Sequence, residues 1–112
     1  MIFKILTQSQ WDAAQAAGRF DGAPVDHADG FIHFSSAAQL AETAARHFAG
    51  QDGLLLAAVD DTLLGEALKW ERSRNDDLFP HLYAPLALTD VAWVKPLPLK
   101  DGMHQIPAEV SA

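Results

Sequence analysis

The stretch that most constrains this chain is Leu54-Leu55-Leu56-Ala57-Ala58-Val59, a continuous apolar run bounded by Gly53 and Asp60. A strand that is apolar at every position, with no polar alternation, has both faces covered, so the run predicts a central strand with packing on either side. The remaining elements are read around it. Residues 2–6 form a first strand, and Ser9 with Asp12 has the spacing of a capping box that opens a short helix through Ala17, stopped by Gly18. Residues 19–30 carry Gly, Pro and Asp without periodicity and read as a surface loop able to overhang a cleft.

Residues 31–34 read as a short buried strand. Ser36 with Gln39 repeats the capping-box pattern and starts the clearest helix, with Leu40, Ala44 and His47 or Phe48 on its apolar side. Glu42 and Arg46 form a favourable i, i+4 pair, and Gly50 serves as C-cap. After the central run come a turn at 60–65, a strand at 67–71 and a charged loop at 72–77. Residues 78–88 are broken by Pro80 and Pro85 and read as an irregular or edge strand at best. A last strand covers 91–97, and about 99–112 reads as a C-terminal tail. Strand, helix, strand, helix and then several strands is an α+β order. With 112 residues, about half of them apolar, the expectation is one domain over 1–112.

Composition excludes several functions. The chain has no cysteine, so a disulfide framework, a thiolate metal site and a cysteine nucleophile are all absent. The net charge of −7 repels phosphate backbones and argues against general nucleic-acid or anionic-membrane binding. The tight basic cluster is Lys69, Arg72 and Arg74, which flanks Glu71. The N-terminus lacks a signal-peptide pattern and no stretch approaches a membrane span, so a soluble cytoplasmic protein is expected. The five histidines show neither His-x-His nor His-Glu-x-x-His spacing, and no metal is expected. No dinucleotide fingerprint, phosphate-loop lysine or nucleophile elbow occurs.

Chemistry is sought where ionisable side chains interrupt strand-like apolar runs. Lys4 shares a strand face with Ile2 and Leu6, where its ammonium needs an anionic partner or an opening to water by snorkelling. His33 shares a face with Phe31 and Ser35, and Ser35 stands where the strand gives way to the next helix. They are read either as cleft residues that meet a ligand or as a core histidine and a local cap. Glu71 beside Trp70 is read as a general base or cation stabiliser, or else as a surface ion pair with Lys69, Arg72 or Arg74. His81, between Pro80 and Leu82, is read as a ligand contact or a loop hydrogen bond.

Lys4-Ile5-Leu6, Trp11, Asp29-Gly30-Phe31-Ile32-His33-Phe34-Ser35, Gln39, Phe48-Ala49-Gly50, Trp70-Glu71 and Phe79-Pro80-His81-Leu82-Tyr83 together resemble the bacterial domain of unknown function 952 family, in the same order over nearly the whole chain. The resemblance implies a compact ADP-ribosyltransferase-like fold, in which two small β-sheets and two main helices surround a cleft for NAD. By position it places Glu71 and His33 in catalytic roles and Lys4, Ser35, Arg72 and His81 against the ligand. The implied chemistry is cleavage of the nicotinamide–ribose bond, with ADP-ribose transferred or hydrolysed and NAD as substrate. Lysine at position 4 departs from the histidine or arginine usual there in such transferases. Two other readings remain: a non-catalytic small-ligand or protein-binding module, and a metal-assisted hydrolase built on His33, Glu71 and His81.

Overall fold

In the computed structural model, which describes residues 1–111, the chain runs β1 (Ile2–Thr7), α1 (Gln8–Ala17), β2 (Arg19–Phe20), α2 (Pro24–Asp29), β3 (Ile32–His33), α3 (Ala37–His47), β4 (Leu54–Val59), β5 (Leu68–Arg72), β6 (Leu78–Leu82), β7 (Leu86–Ala87), β8 (Val91–Leu97), β9 (Leu99–Lys100) and β10 (Met103–His104), with short 3-10 turns between several of them. The apolar run is β4, the middle strand of the antiparallel sheet β1-β4-β8. Both of its faces are covered. Leu54, Leu56 and Ala58 pack with Phe3, Ile5, Leu40, Ala44 and Leu97, while Ala57 and Val59 pack with Ile2, Leu6, Phe20, Ile32, Phe34 and Leu82. Complete burial of a leucine such as Leu56 contributes roughly 1.5–3 kcal/mol, which is why a single strand can anchor two layers.

The second three-stranded sheet has the order β3-β6-β5 and is antiparallel throughout. The two sheets meet at a single step of backbone. The Phe34 N–H donates to the Pro80 carbonyl at 3.0 Å, and the next residue, Ser35, exchanges two bonds with Phe3 at 2.8 and 2.9 Å. The chain therefore leaves one sheet and joins the other between adjacent residues, and this brings the neighbourhood of Lys4 next to that of His33.

Several expectations change. The segment 19–30 is not an unstructured loop: it contains β2, which pairs with β7, and the short helix α2. Helix α1 starts earlier than the Ser9–Asp12 pattern implied. Thr7 caps it, its Oγ1 accepting the Gln10 N–H at 3.1 Å while Gln10 Oε1 accepts the Thr7 N–H at 2.9 Å. Gly18, at φ 78°, adopts the left-handed conformation that ends the helix, as its position suggested. The Ser36–Gln39 signal is realised in one half, Gln39 Oε1 accepting the Ser36 N–H at 3.0 Å, and α3 buries Leu40 and Ala44 as read.

The segment from Leu78 is not an edge. β6 is the middle strand of its sheet although it contains Pro80. The antiparallel register places Pro80 opposite Phe34, just beyond the end of β3, so the missing proline N–H costs one bond at the point where the ladder already stops.

Residues after Pro98, read as a tail, form the β9–β10 hairpin and a terminal 3-10 turn; Val110 is buried and Lys95 pairs with Glu109 at 2.8 Å. Ala112 lies outside the described residues. The architecture is thus mixed α+β, with four small sheets and three α-helices rather than two and two. Among the described residues no helix is long and apolar enough to cross a membrane.

Candidate functional site

Asp26 organises one wall of the site. Pro24 starts α2, and the Asp26 carboxylate folds back so that Oδ2 accepts the Ala23 N–H at 2.7 Å, tying off the helix start. Its Oδ1 accepts the His33 N–H at 3.0 Å, the His33 Nδ1 at 2.7 Å and the Lys4 Nζ at 3.0 Å. Asp26 is 2% exposed and Lys4 8%. Burial alone would raise the Asp26 carboxyl, but the His33 ring, the Lys4 ammonium and the two backbone N–H groups outweigh it and hold the carboxyl at about 2. Burial pushes the Lys4 ammonium below its ordinary value, against the attraction of Asp26. The far nitrogen of His33, Nε2, lies 2.9 Å from Asp29 Oδ2. Lys4, Asp26, His33 and Asp29 thus form one connected chain of polar contacts.

The adjoining wall comes from β5 and β6, with His81 opposite His33 in the register of β3 and β6. Glu71 Oε1 accepts the His81 Nδ1 at 2.9 Å and the Tyr83 hydroxyl at 2.6 Å. The phenol first and the imidazole second hold the Glu71 carboxyl below its usual range, and Glu71 in turn raises Tyr83. His81 is 4% exposed, and its ring stacks on Phe31 with centroids 4.0 Å apart at 22°. Phe31 also touches His33 and Tyr83, with centroid distances of 4.6 and 5.2 Å. The two imidazoles meet edge to face at 5.5 Å.

A third group extends from α3. Thr43 Oγ1 donates to the Gln39 carbonyl at 3.1 Å, accepts from Arg74 Nη2 at 3.1 Å and bonds Ser35 Oγ at 2.8 Å. The three walls border a cleft of about 580 Å³ lined by Lys4, His33, Thr43, Ser73, Arg74 and His81, with Phe3, Phe34, Phe48 and Phe79 as its apolar surface.

Of the residues singled out in the sequence, Lys4, His33 and His81 border the cleft. Ser35 is buried and reaches it through Thr43; Glu71 stands behind His81. Arg72 is turned away: its side chain is 71% exposed and pairs with Asp76 at 2.7 Å, while Arg74 takes the place at the cleft. Strand alternation would put Arg72 and Arg74 on one face, but β5 ends at Arg72 and the 3-10 turn from Arg74 to Asp76 redirects the chain. Sequence reasoning missed Asp26 altogether, because nothing in a Gly/Pro/Asp-rich segment distinguishes one aspartate. Tyr83 had a signal: it lies two residues after His81 and so shares its strand face. Among the described residues no group of three or more His, Asp or Glu side chains is arranged to hold a metal ion.

Fold and cleft together define a small mixed α+β protein with paired imidazole–carboxylate contacts where two sheets meet. The chain belongs to the family described as Protein of unknown function (DUF952), whose model matches residues 5–94. It is similar to the crystal structure of protein CC0527 from Caulobacter crescentus, at 50% identity over 99% of this chain and 98% of that one, with a TM-score of 0.94. The solution NMR structure of CC0527 agrees at 53% identity over 93% and 90% of the two chains, with a TM-score of 0.84. No curated protein matches the chain.

Proposed function

We propose that the cleft binds NAD or a related nucleotide and that the protein cleaves the nicotinamide–ribose bond, passing ADP-ribose to water or to an acceptor on a compact ADP-ribosyltransferase-like scaffold. The observation that carries this reading is His81. Glu71 fixes its Nδ1, and its Nε2 bonds no group among the described residues although the ring lines the cleft. A carboxylate–imidazole pair with one nitrogen committed and the other free is the arrangement of an oriented general base. In the reaction the C–N bond breaks with its electron pair leaving on nicotinamide, a cationic ribose-centred transition state forms, and His81 Nε2 takes the proton of the attacking hydroxyl. Glu71 steadies the imidazolium that results and adds negative potential beside the developing cation. His33, with both nitrogens engaged, positions the wall against which the ligand lies.

Release of nicotinamide from NAD, followed by proton NMR, tests the proposal. Wild-type protein is expected to release it, and His81→Gln and Glu71→Gln to lose that release while keeping the native melting transition. Unchanged release in both variants removes the pair from the mechanism.

A second reading, a non-catalytic binding module on the same scaffold, has its own support. Lys4 is neutralised by Asp26 and is not free to meet a pyrophosphate, and Glu71 already accepts two bonds on one oxygen. Saturable NAD binding without nicotinamide release selects this reading.

A further inference from the structure

We infer that Arg74 is an oxyanion clamp for a phosphate or diphosphate group of the bound ligand. The inference rests on the cleft being a ligand site and not on that ligand being NAD. Arg74 Nε is buried with no hydrogen-bond partner. Glu42 Oε1 forms a long ion pair with it at 3.8 Å, beyond hydrogen-bond distance, and is already bonded by Arg46 Nε at 3.0 Å. A buried N–H without an acceptor is costly to the folded chain, so a ligand oxygen that completes it gains what that chain has left unmade.

The rest of the guanidinium is held in place before any ligand arrives. Nη2 donates to Thr43 Oγ1 at 3.1 Å, and the guanidinium carbon lies over the Phe79 ring, 4.9 Å from its centroid. The backbone is fixed as well. Asn75 and Asp76 follow at φ 57° and 63°, left-handed conformations that these two residue types tolerate better than most. The turn is closed by Ser73 N–H to Asp77 O at 2.9 Å, Asp77 N–H to Arg74 O at 3.1 Å and the Arg72–Asp76 ion pair. The exposed Arg72 thus helps shape the turn that presents Arg74.

A planar guanidinium with a free Nε matches the paired oxygens of a phosphate, and the surrounding groups supply more than a carboxylate would use. Ser73 precedes Arg74 and His47 stands one helical turn beyond Thr43; both line the cleft. In a chain of net charge −7, one preorganised cation also restricts the site to small anions, since an extended phosphate backbone meets repulsion elsewhere.

The experiment follows the arginine Nε–Hε signals of wild-type protein by heteronuclear NMR, with Arg74 assigned through bonds, during titration with inorganic pyrophosphate and separately with NAD. The Arg74 signal is expected to move saturably with pyrophosphate. Arg74→Lys, which keeps the charge but loses the fork, is expected to weaken binding ~10-fold or more, and Arg19→Lys, at an exposed arginine outside the cleft, to leave it unchanged. An Arg74 signal that stays still at millimolar pyrophosphate overturns the clamp, as does wild-type affinity in Arg74→Lys. NAD binding that shifts His33 and His81 but not Arg74 also overturns it while leaving the nucleotide reading intact. Movement with pyrophosphate but no response to NAD upholds the clamp and removes NAD as the ligand. Because the Arg74 signal is read in wild-type protein, poor folding of the variant does not protect the inference.

Discussion

The two imidazole–carboxylate pairs that stand side by side at the cleft, on the paired strands β3 and β6, are built in opposite ways. In Asp26–His33 the carboxylate is buried and the ring is tied at both nitrogens; in Glu71–His81 the ring is buried, the carboxylate is partly exposed and one ring nitrogen is uncommitted. The first pair consumes all its bonding capacity inside the protein and holds two sheets and a helix together. The second leaves capacity over. A pair of the same chemical types therefore either closes on itself or keeps a nitrogen open to the cleft, according to which partner is desolvated and whether both ring nitrogens are bonded.

The most severe way to break this contrast is Asp26→Ala, which strands the buried Lys4 ammonium and the N–H groups of Ala23 and His33. A loss of about 3–5 kcal/mol is expected, lowering the melting temperature by more than about 10 °C in thermal denaturation. Adding Lys4→Met recovers part of it, because the uncompensated charge is gone. If Asp26→Ala melts like wild type, the contacts of Asp26 with Lys4 and His33 are not what joins the layers.

Acid comes next. The Asp26 carboxyl lies at about 2 in the folded protein against an ordinary 3.8. The folded value is the lower one, so its stabilisation is complete above about pH 4 and is lost as pH falls through about 2, a span worth on the order of 2 kcal/mol. Urea denaturation between pH 5 and 2 should show this slope, and Asp26→Asn should flatten it.

Glu71→Gln sharpens the contrast from the other side. A melting transition close to that of wild type is expected, together with loss of nicotinamide release. The same variant removes the charge that raises Tyr83, so the phenol should titrate at lower pH in an ultraviolet absorbance titration. The smallest effect belongs to Arg72→Ala. An exposed ion pair of this kind contributes within about 0.5 kcal/mol, so stability by chemical denaturation should be nearly unchanged.

What the sequence determined by itself is what local periodicity and short-range hydrogen bonding control. The apolar run of β4, the start of α3 at Ser36, its buried Leu40 and Ala44, the Gly18 stop and the shared strand face of Phe31 and His33 all follow from spacings of two to four residues. Those spacings act through the strand and helix periods within the segment itself. That Lys4 needs either an anionic partner or an opening to water was equally legible, since an ammonium in an apolar row admits few solutions; which of the two it takes was not.

Only the tertiary structure decided who the partners are. Asp26 lies 22 residues from Lys4, in a segment without periodicity, and becomes special because α2 and the crossing at Phe34–Ser35 carry it between two sheets. Pro80 in a middle strand is tolerated because β3 happens to end opposite it, a fact of register between distant strands. Arg74 and not Arg72 lines the cleft because β5 ends at Arg72 and the chain leaves the strand alternation at Ser73, before the turn from Arg74 to Asp76. Each of these depends on contacts far apart in the chain, and no period within a segment encodes which distant group will fill a bond left open in the fold.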